Sequence, residues 1–212
     1  MKVSILGSGT VAQTLAKGFL RHGHQVTMGT RTVSKLADFA AQNPGIAVAS
    51  FAQAAEAGEV IVLAVKGAAA SECMRALPAS SLTGKVVIDT TNPIADAPPV
   101  NGVLKFFTTL DDSLMEQLQR QSPQARFVKA FSCVGNALMV NPQLAGGPPT
   151  MFICGNDPAA KKTVTDILGQ FGWDVADMGQ AESARAIEPL CILWCARGFN
   201  GGGWNHALKL LR

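Results

Sequence analysis

The run Lys2-Val-Ser-Ile-Leu-Gly-Ser-Gly-Thr-Val-Ala12 joins a short apolar stretch to a glycine turn. Val3, Ile5 and Leu6 read as a buried strand, and Gly7, Gly9 and Ala12 fall at the spacings of G-x-G-x-x-A. Each small residue has its own reason. The first allows a sharp turn, the second clears the backbone where a pyrophosphate must approach, and the third lets helix and strand pack closely. Val11, Leu15 and Phe19 recur every four residues, so the turn opens a helix with one apolar stripe. Its free N–H groups and dipole would face the phosphates. Arg21, His22 and Gly23 supply a basic last turn and a glycine stop.

Residues 25–28 read as the next strand. A protein that binds NAD would place Asp or Glu at its end, for the ribose hydroxyls. Here Gly29-Thr30-Arg31 stands in that place, with Lys35 a helical turn further on. A carboxylate would repel a 2′-phosphate, whereas a hydroxyl and two cations attract it. NADP(H) is the expected nucleotide.

The rest of the first half alternates strands and helices. Residues 34–42 read as a helix closed by Asn43-Pro-Gly45, 46–49 as a brief strand and 51–57 as a short helix. Val60-Ile-Val-Leu-Ala-Val65 is a continuous apolar run, the mark of a strand covered on both faces of a parallel sheet. Residues 85–88 form another such strand, which ends in Asp89-Thr-Thr-Asn-Pro93. An irregular excursion follows over 94–110, then a helix from Ser113 to about Gln121 and a sixth strand over 126–130. The pattern predicts an α/β, Rossmann-like, doubly wound parallel sheet.

Ligands of such sheets collect at the carboxyl ends of the strands. The rule selects Gly7, Ser8, Gly9, Thr10 and Val11; Thr30 and Arg31; Ala64, Val65 and Lys66; Thr90 to Pro93, with Asn92 and Pro93 as the expected contacts; and the loop 131–136.

Residues 131–212 read as a small C-terminal α/β extension on a nucleotide-binding unit of residues 1–130. Its expected elements are strands over 150–154 and 173–176, a helix capped by Asp157-Pro158, and a helix over 182–195 broken at Pro189. Gly201-Gly-Gly203 precedes a terminal apolar segment, in which Trp204, Leu208, Leu210 and Leu211 suggest a homodimer contact.

Bulk properties narrow the function. A net charge of +3 is too small to suggest nucleic acid and suits an anionic cofactor. No apolar run approaches a membrane span, and Met-Lys-Val enters a strand without a signal-peptide pattern. The cysteines number 5, form no CxxC pair, and read as reduced thiols in the cytoplasm. The 3 histidines are wrongly spaced for a metal site. Cys191 and Cys195 share one helix face and read as core packing; Cys133 lies near the expected cofactor without a resolving partner. The absence of tyrosine (Tyr 0) removes the Tyr-x-x-x-Lys chemistry of short-chain dehydrogenases. Gly135 and Ala137 read as leaving an open nicotinamide pocket, which argues against a non-enzymatic NADP(H) sensor.

These motifs, with Val128-Lys-Ala-Phe131, Ala137-Leu-Met-Val-Asn-Pro142 and the end Trp204 to Arg212, resemble the NADP oxidoreductases that depend on the deazaflavin coenzyme F420. The first part is also similar to the nucleotide-binding half of STEAP-type metalloreductases. The resemblance implies hydride transfer between NADP(H) and coenzyme F420 or a related flavin. It places Ser8, Thr10 and Val11 on the pyrophosphate, Thr30, Arg31 and Lys35 on the 2′-phosphate, and Val134 and Asn136 against the rings. The chain departs from many relatives at Ser132-Cys133, where they carry Asn-Thr. Hydride transfer between two carriers needs stacked rings and a dry pocket rather than an acid–base pair, so no catalytic side chain is expected. The alternative is an NADPH-dependent reductase of a metal complex, a flavin, or a small carbonyl or imine.

Overall fold

The computed structural model describes residues 1–211. Six parallel strands form the main sheet in the order β3-β2-β1-β4-β5-β6. They are β1 (Lys2–Leu6), β2 (Gln25–Thr30), β3 (Ile46–Ser50), β4 (Val60–Leu63), β5 (Val86–Asp89) and β6 (Arg126–Lys129). The chain runs outward from β1 to β3, then returns past β1 and runs outward the other way. The order therefore reverses between β1 and β4, the switch point at which such sheets bind ligands. All four residues of β4 are buried, as their unbroken apolar run requires.

Helices cover both faces: α1 (Thr10–Arg21), α2 (Ala37–Gln42), α3 (Phe51–Ala57), α4 (Gly67–Arg75) and α5 (Leu114–Gln121). Local chemistry sets their ends. At the end of α1, Gly23 adopts φ +79°, its N–H donates to Leu20 O, and His24 N–H donates to Phe19 O. This paired closure satisfies two carbonyls of the last turn. Ser50 with Gln53, and Ser113 with Glu116, form capping boxes at the starts of α3 and α5.

Two sequence expectations change. The helix expected over 34–42 is a tight single turn, Val33–Leu36, followed by the separate helix α2. Leu36 is buried to 1% exposure and sits at the break, so burying it redirects the chain. Helix α4 was not among the expected elements, although Ala70, Cys73, Met74 and Leu77 recur at i, i+3, i+4 and i+7 and form its buried face.

Beyond β6, β7 (Thr150–Ile153) and β8 (Asp174–Asp177) pair in parallel, connected by α6 (Pro158–Gln170). Asp157 caps α6 by accepting from Ala160 N–H at 2.7 Å. An antiparallel bridge between Lys129 and Cys154 joins this pair to the main sheet. Val128, Met151, Ile153, Val164 and Leu168 lie in one hydrophobic cluster with Val3, Ile5 and Phe19, so the core runs through both parts. α7 (Ala184–Ile187) and α8 (Leu190–Arg197) follow, separated by Glu188 and Pro189. A wide turn, Gly198–Gly202, leads into an extended tail. Thr150 N–H donates to Leu208 O, and Leu210 N–H to the Thr150 hydroxyl. The tail is thus fastened to its own chain as far as Leu210; Arg212, at the end of the segment compared above, lies outside the described residues. Among the described residues no helix is long and apolar enough to cross a membrane.

Candidate functional site

The turn after β1 is shaped by two different demands on glycine. Gly7 adopts φ +145°, and a Cβ there would lie 2.3 Å from the carbonyl oxygen of Ala64. Its N–H donates to Gly29 O at 2.9 Å, while Ala64 N–H donates to Leu6 O at 2.8 Å. Gly7 therefore draws the ends of β2, β1 and β4 together. At Gly9 a Cβ would meet nothing within 4 Å. The first position closes the fold, and the second leaves a bare cradle in front of α1. No side chain caps the N-terminus of α1, and no acidic residue sits in its first turn. Its leading amides are free to receive an anion. Ser8 and Val11 are half-buried beside the cradle, and Thr10 is exposed.

At the end of β2, Thr30 is buried, and its hydroxyl accepts from Thr32 N–H at 3.3 Å. Arg31 and Lys35 are exposed. Arg31 lies 4.0 Å from Glu72 of α4, with both side chains about 70% exposed (73% and 69%). Such a loose surface pair contributes little, so Arg31 stays available to a stronger anion.

The ends of β4, β5 and β6 form the other side. Ala64 is buried, Val65 half-buried and Lys66 exposed, just before α4. Gly67 was not singled out from the sequence, yet a Cβ there would fall 1.9 Å from Asn92 O. Only glycine lets α4 approach the loop after β5. Thr90 donates its hydroxyl to Leu63 O, and Pro93 is buried. Asn92 donates its side-chain amide to Ser132 O at 3.0 Å. That bond fixes the amide orientation and leaves Asn92 Oδ1 as the acceptor without a partner. Asn92 Oδ1 and Ser132 Oγ are both buried without a partner. A buried polar atom left unpaired costs about 1–3 kcal/mol, and a polar group reaching these strand ends would relieve that cost.

The loop after β6 corrects one expectation. Gly135 does not leave open space: a Cβ there would sit 2.8 Å from the Trp194 ring. The glycine is small because an indole from α8 packs on it, a contact 59 positions away that no local pattern reveals. Val134 is buried in the main core cluster, whereas Asn136 and Ala137 are exposed. Phe131 adopts φ +62°, unusual for an aromatic residue, where the chain leaves β6. Burial pushes the Cys133 thiol up to about 11, so it is protonated and inert at neutral pH.

Beneath these loops lies an ionic network that the sequence reading missed. Lys129 is wholly buried, and its ammonium contacts Asp89 at 2.8 Å, Glu188 at 2.9 Å and Thr91 O at 2.7 Å. Asp89 also accepts from the N–H and hydroxyl of Thr91. Glu188 accepts from Leu114 and Met115 N–H at 3.0 Å, at the positive end of α5. Burial works against the ammonium charge, but the two carboxylates overcome it and hold the Lys129 pKa above its ordinary value. Charged residues opposite one another in two apolar strands were the available signal, since Asp89 and Lys129 are register partners. Glu188 had no such signal, because it arrives from a distant helix end. The network ties the loop Thr90–Asn92 to the C-terminal helices through Thr91 O. Nearby, Arg185 grips Glu116 through its Nε and Nη2.

The doubly wound sheet with a glycine cradle at its switch point defines a Rossmann-like nucleotide-binding fold. Comparison with known proteins places it more closely. Residues 2–93 match the family described as NADP oxidoreductase, coenzyme F420-dependent. The structure superposes with a TM-score of 0.93 and 35% identity, over 100% of both chains, on a candidate F420-dependent NADP reductase from Arthrobacter sp. FB24. The F420-dependent NADP reductase of Methanocaldococcus jannaschii is 30% identical over 66% of this chain and 62% of its own. Rat metalloreductase STEAP3 is 32% identical over 91% of this chain, which spans only 37% of that protein. The chain belongs to the F420-dependent family of NADP oxidoreductases.

Proposed function

We propose that this protein transfers hydride between NADP(H) and the deazaflavin coenzyme F420 or a related flavin. The observation that carries the proposal is the pair of unpartnered buried atoms, Asn92 Oδ1 and Ser132 Oγ, on the same sheet edge as the Gly9 cradle. A carboxamide is the complementary group: its N–H₂ donates to Asn92, and its oxygen accepts from the Ser132 hydroxyl. Bound nicotinamide supplies or receives the hydride. The chain's own residues hold and orient it. Ser8, Gly9, Thr10 and Val11 receive the pyrophosphate at the start of α1, while Thr30, Arg31 and Lys35 receive the 2′-phosphate. Ala64, Val65, Lys66 and Pro93 line the approach, and Val134 and Asn136 flank the rings. The bond from Asn92 to Ser132 O and the Lys129 contact to Thr91 O keep the carboxamide pair in register before any ligand arrives.

The likeness to a metalloreductase over 91% of the chain favours a second acceptor class, a chelated metal ion. A homodimer is part of the proposal, because Leu193, Phe199, Trp204 and Leu211 leave apolar surface exposed. So is a reducing compartment such as the cytoplasm, since all the cysteines are free. The deciding experiment is NADPH oxidation followed spectrophotometrically with deazaflavin, FMN, FAD, ferric chelates and quinones. Fastest turnover with the deazaflavin is expected. Turnover with ferric chelates but with no deazaflavin or flavin would replace this reading with the metal one.

A further inference from the structure

Cys191 and Cys195 lie on one face of α8 with their sulfurs 4.0 Å apart. Core packing explains Cys191, which is 5% exposed, but Cys195 in the last turn remains partly open to solvent. Two thiols this close can be joined directly or through an intervening atom, and helix geometry separates the cases. Residues four apart on a helix hold their Cβ atoms about 5–6 Å apart. A disulfide requires Cβ atoms about 3.5–4.5 Å apart and sulfurs about 2.05 Å apart. A direct bond would therefore require α8 to unwind.

A one-atom bridge fits without that cost. Metal–sulfur bonds of about 2.3 Å span sulfurs roughly 4–4.6 Å apart as the S–metal–S angle opens from about 120° toward linear. Thiolates select soft ions, cuprous copper among them. Among the described residues no group of three His, Cys, Asp or Glu side chains could hold a metal ion. A tetrahedral zinc site is thus out of reach, and a two-coordinate ion is the one this pair can satisfy. We propose that Cys191 and Cys195 form a two-thiolate site for a soft monovalent ion of the copper(I) type.

Access agrees with it: Cys195 is partly open to solvent, and binding an ion there releases the thiol protons. Entry is from the last turn of α8, beside the turn Gly198–Gly202. Between the two cysteines in sequence, Trp194 packs on Gly135 of the loop after β6, so its fluorescence reports on occupancy next to the candidate site. The inference does not depend on which acceptor takes the hydride.

The test is an anaerobic titration of the reduced full chain with copper(I) against a bicinchoninate competitor, with tryptophan emission followed in parallel. One ion per chain is expected, bound more weakly as pH falls. Cys191→Ser and Cys195→Ser should each lower affinity by more than about 100-fold, beyond the loss caused by removing a supporting hydrogen bond. Cys73→Ser, on α4, should leave it unchanged. Affinity retained in Cys195→Ser overturns the site; because that position is partly exposed, the variant keeps the test valid even if Cys191→Ser fails to fold. A Cys191–Cys195 disulfide formed by diamide, with helix content intact by circular dichroism, overturns the geometry on which the site rests.

Discussion

Lys129→Met should destabilise the protein by about 3–5 kcal/mol, the usual loss when one partner of a buried ion pair is removed. The side chains of Lys129 and Asp89 are 0% exposed and that of Glu188 2%, so no water replaces the ammonium. Methionine keeps the volume but strands two carboxylates and the carbonyl of Thr91. Each carboxylate retains two donors, Thr91 for Asp89 and the first amides of α5 for Glu188, which argues against a loss above that range. Against a typical stability of about 5–15 kcal/mol this is a large fraction. For a chain of this size it lowers Tm by roughly 6–20 °C, at 2–4 °C per kcal/mol. Lys129→Met combined with Asp89→Asn removes one stranded charge and should recover part of the loss, a coupling expected of neighbours in one network. Urea denaturation followed by circular dichroism measures both variants. A loss below about 1 kcal/mol for Lys129→Met at unchanged m-value would refute the claim that the network is buried and mutually dependent.

The other predictions concern the nucleotide and pH. Arg31→Ala should weaken NADPH binding by about 1.5–3 kcal/mol and leave NADH almost unaffected, the value of a charge-assisted contact; equal weakening of both in a fluorescence titration removes Arg31 from the 2′-phosphate. Gly9→Val should keep its fold, since a Cβ there meets nothing within 4 Å, and lose NADPH; Gly7→Ala should lose stability instead, because its Cβ meets Ala64 O at 2.3 Å. The reverse pattern, by melting and titration together, would mean the two glycines have exchanged roles. Burial raises the Glu116 carboxyl, but the Arg185 guanidinium and the hydroxyl and N–H of Ser113 outweigh it and hold the pKa at about 2, below the ordinary 4.5. The folded state thus gains from Glu116 above pH 4.5 and loses that gain as pH falls toward about 2. Glu116→Gln should flatten the acid limb of the stability profile over that interval; an unchanged limb shows that the Arg185 grip is not maintained in solution.

The residues at the end of β2 show how function and fold can be read from one short stretch. A carboxylate at Thr30 or Arg31 would have argued for NAD, whereas the hydroxyl and cations there argue for NADP without reference to any other part of the chain. Lys35 illustrates the limit of that reading. Its distance from Arg31 depends on whether residues 33–36 continue a helix or close a separate turn, and the burial of Leu36 settles that in favour of the turn.

What the sequence determined by itself was much of what depends on neighbours along the chain. The G-x-G-x-x-A turn, the strand of Val60–Leu63, the caps at Ser113 and Asp157, and the stop at Gly23 follow from steric and hydrogen-bonding rules a few residues long. The parallel, doubly wound arrangement followed too, because strands alternating with helices have few ways to pack. Tertiary structure decided what depends on residues far apart. Asn92 and Ser132 meet across 40 positions, Lys129 and Glu188 across 59, and the Trp194 ring fills the space that Gly135 appeared to leave open. Helix α4 carries a short stripe, Ala70, Cys73 and Met74, and the cluster it joins with Leu63, Leu114 and Leu118 decides where that stripe is buried. A short-range pattern constrains backbone dihedrals, whereas a buried charge or a filled void is a property of the packed whole.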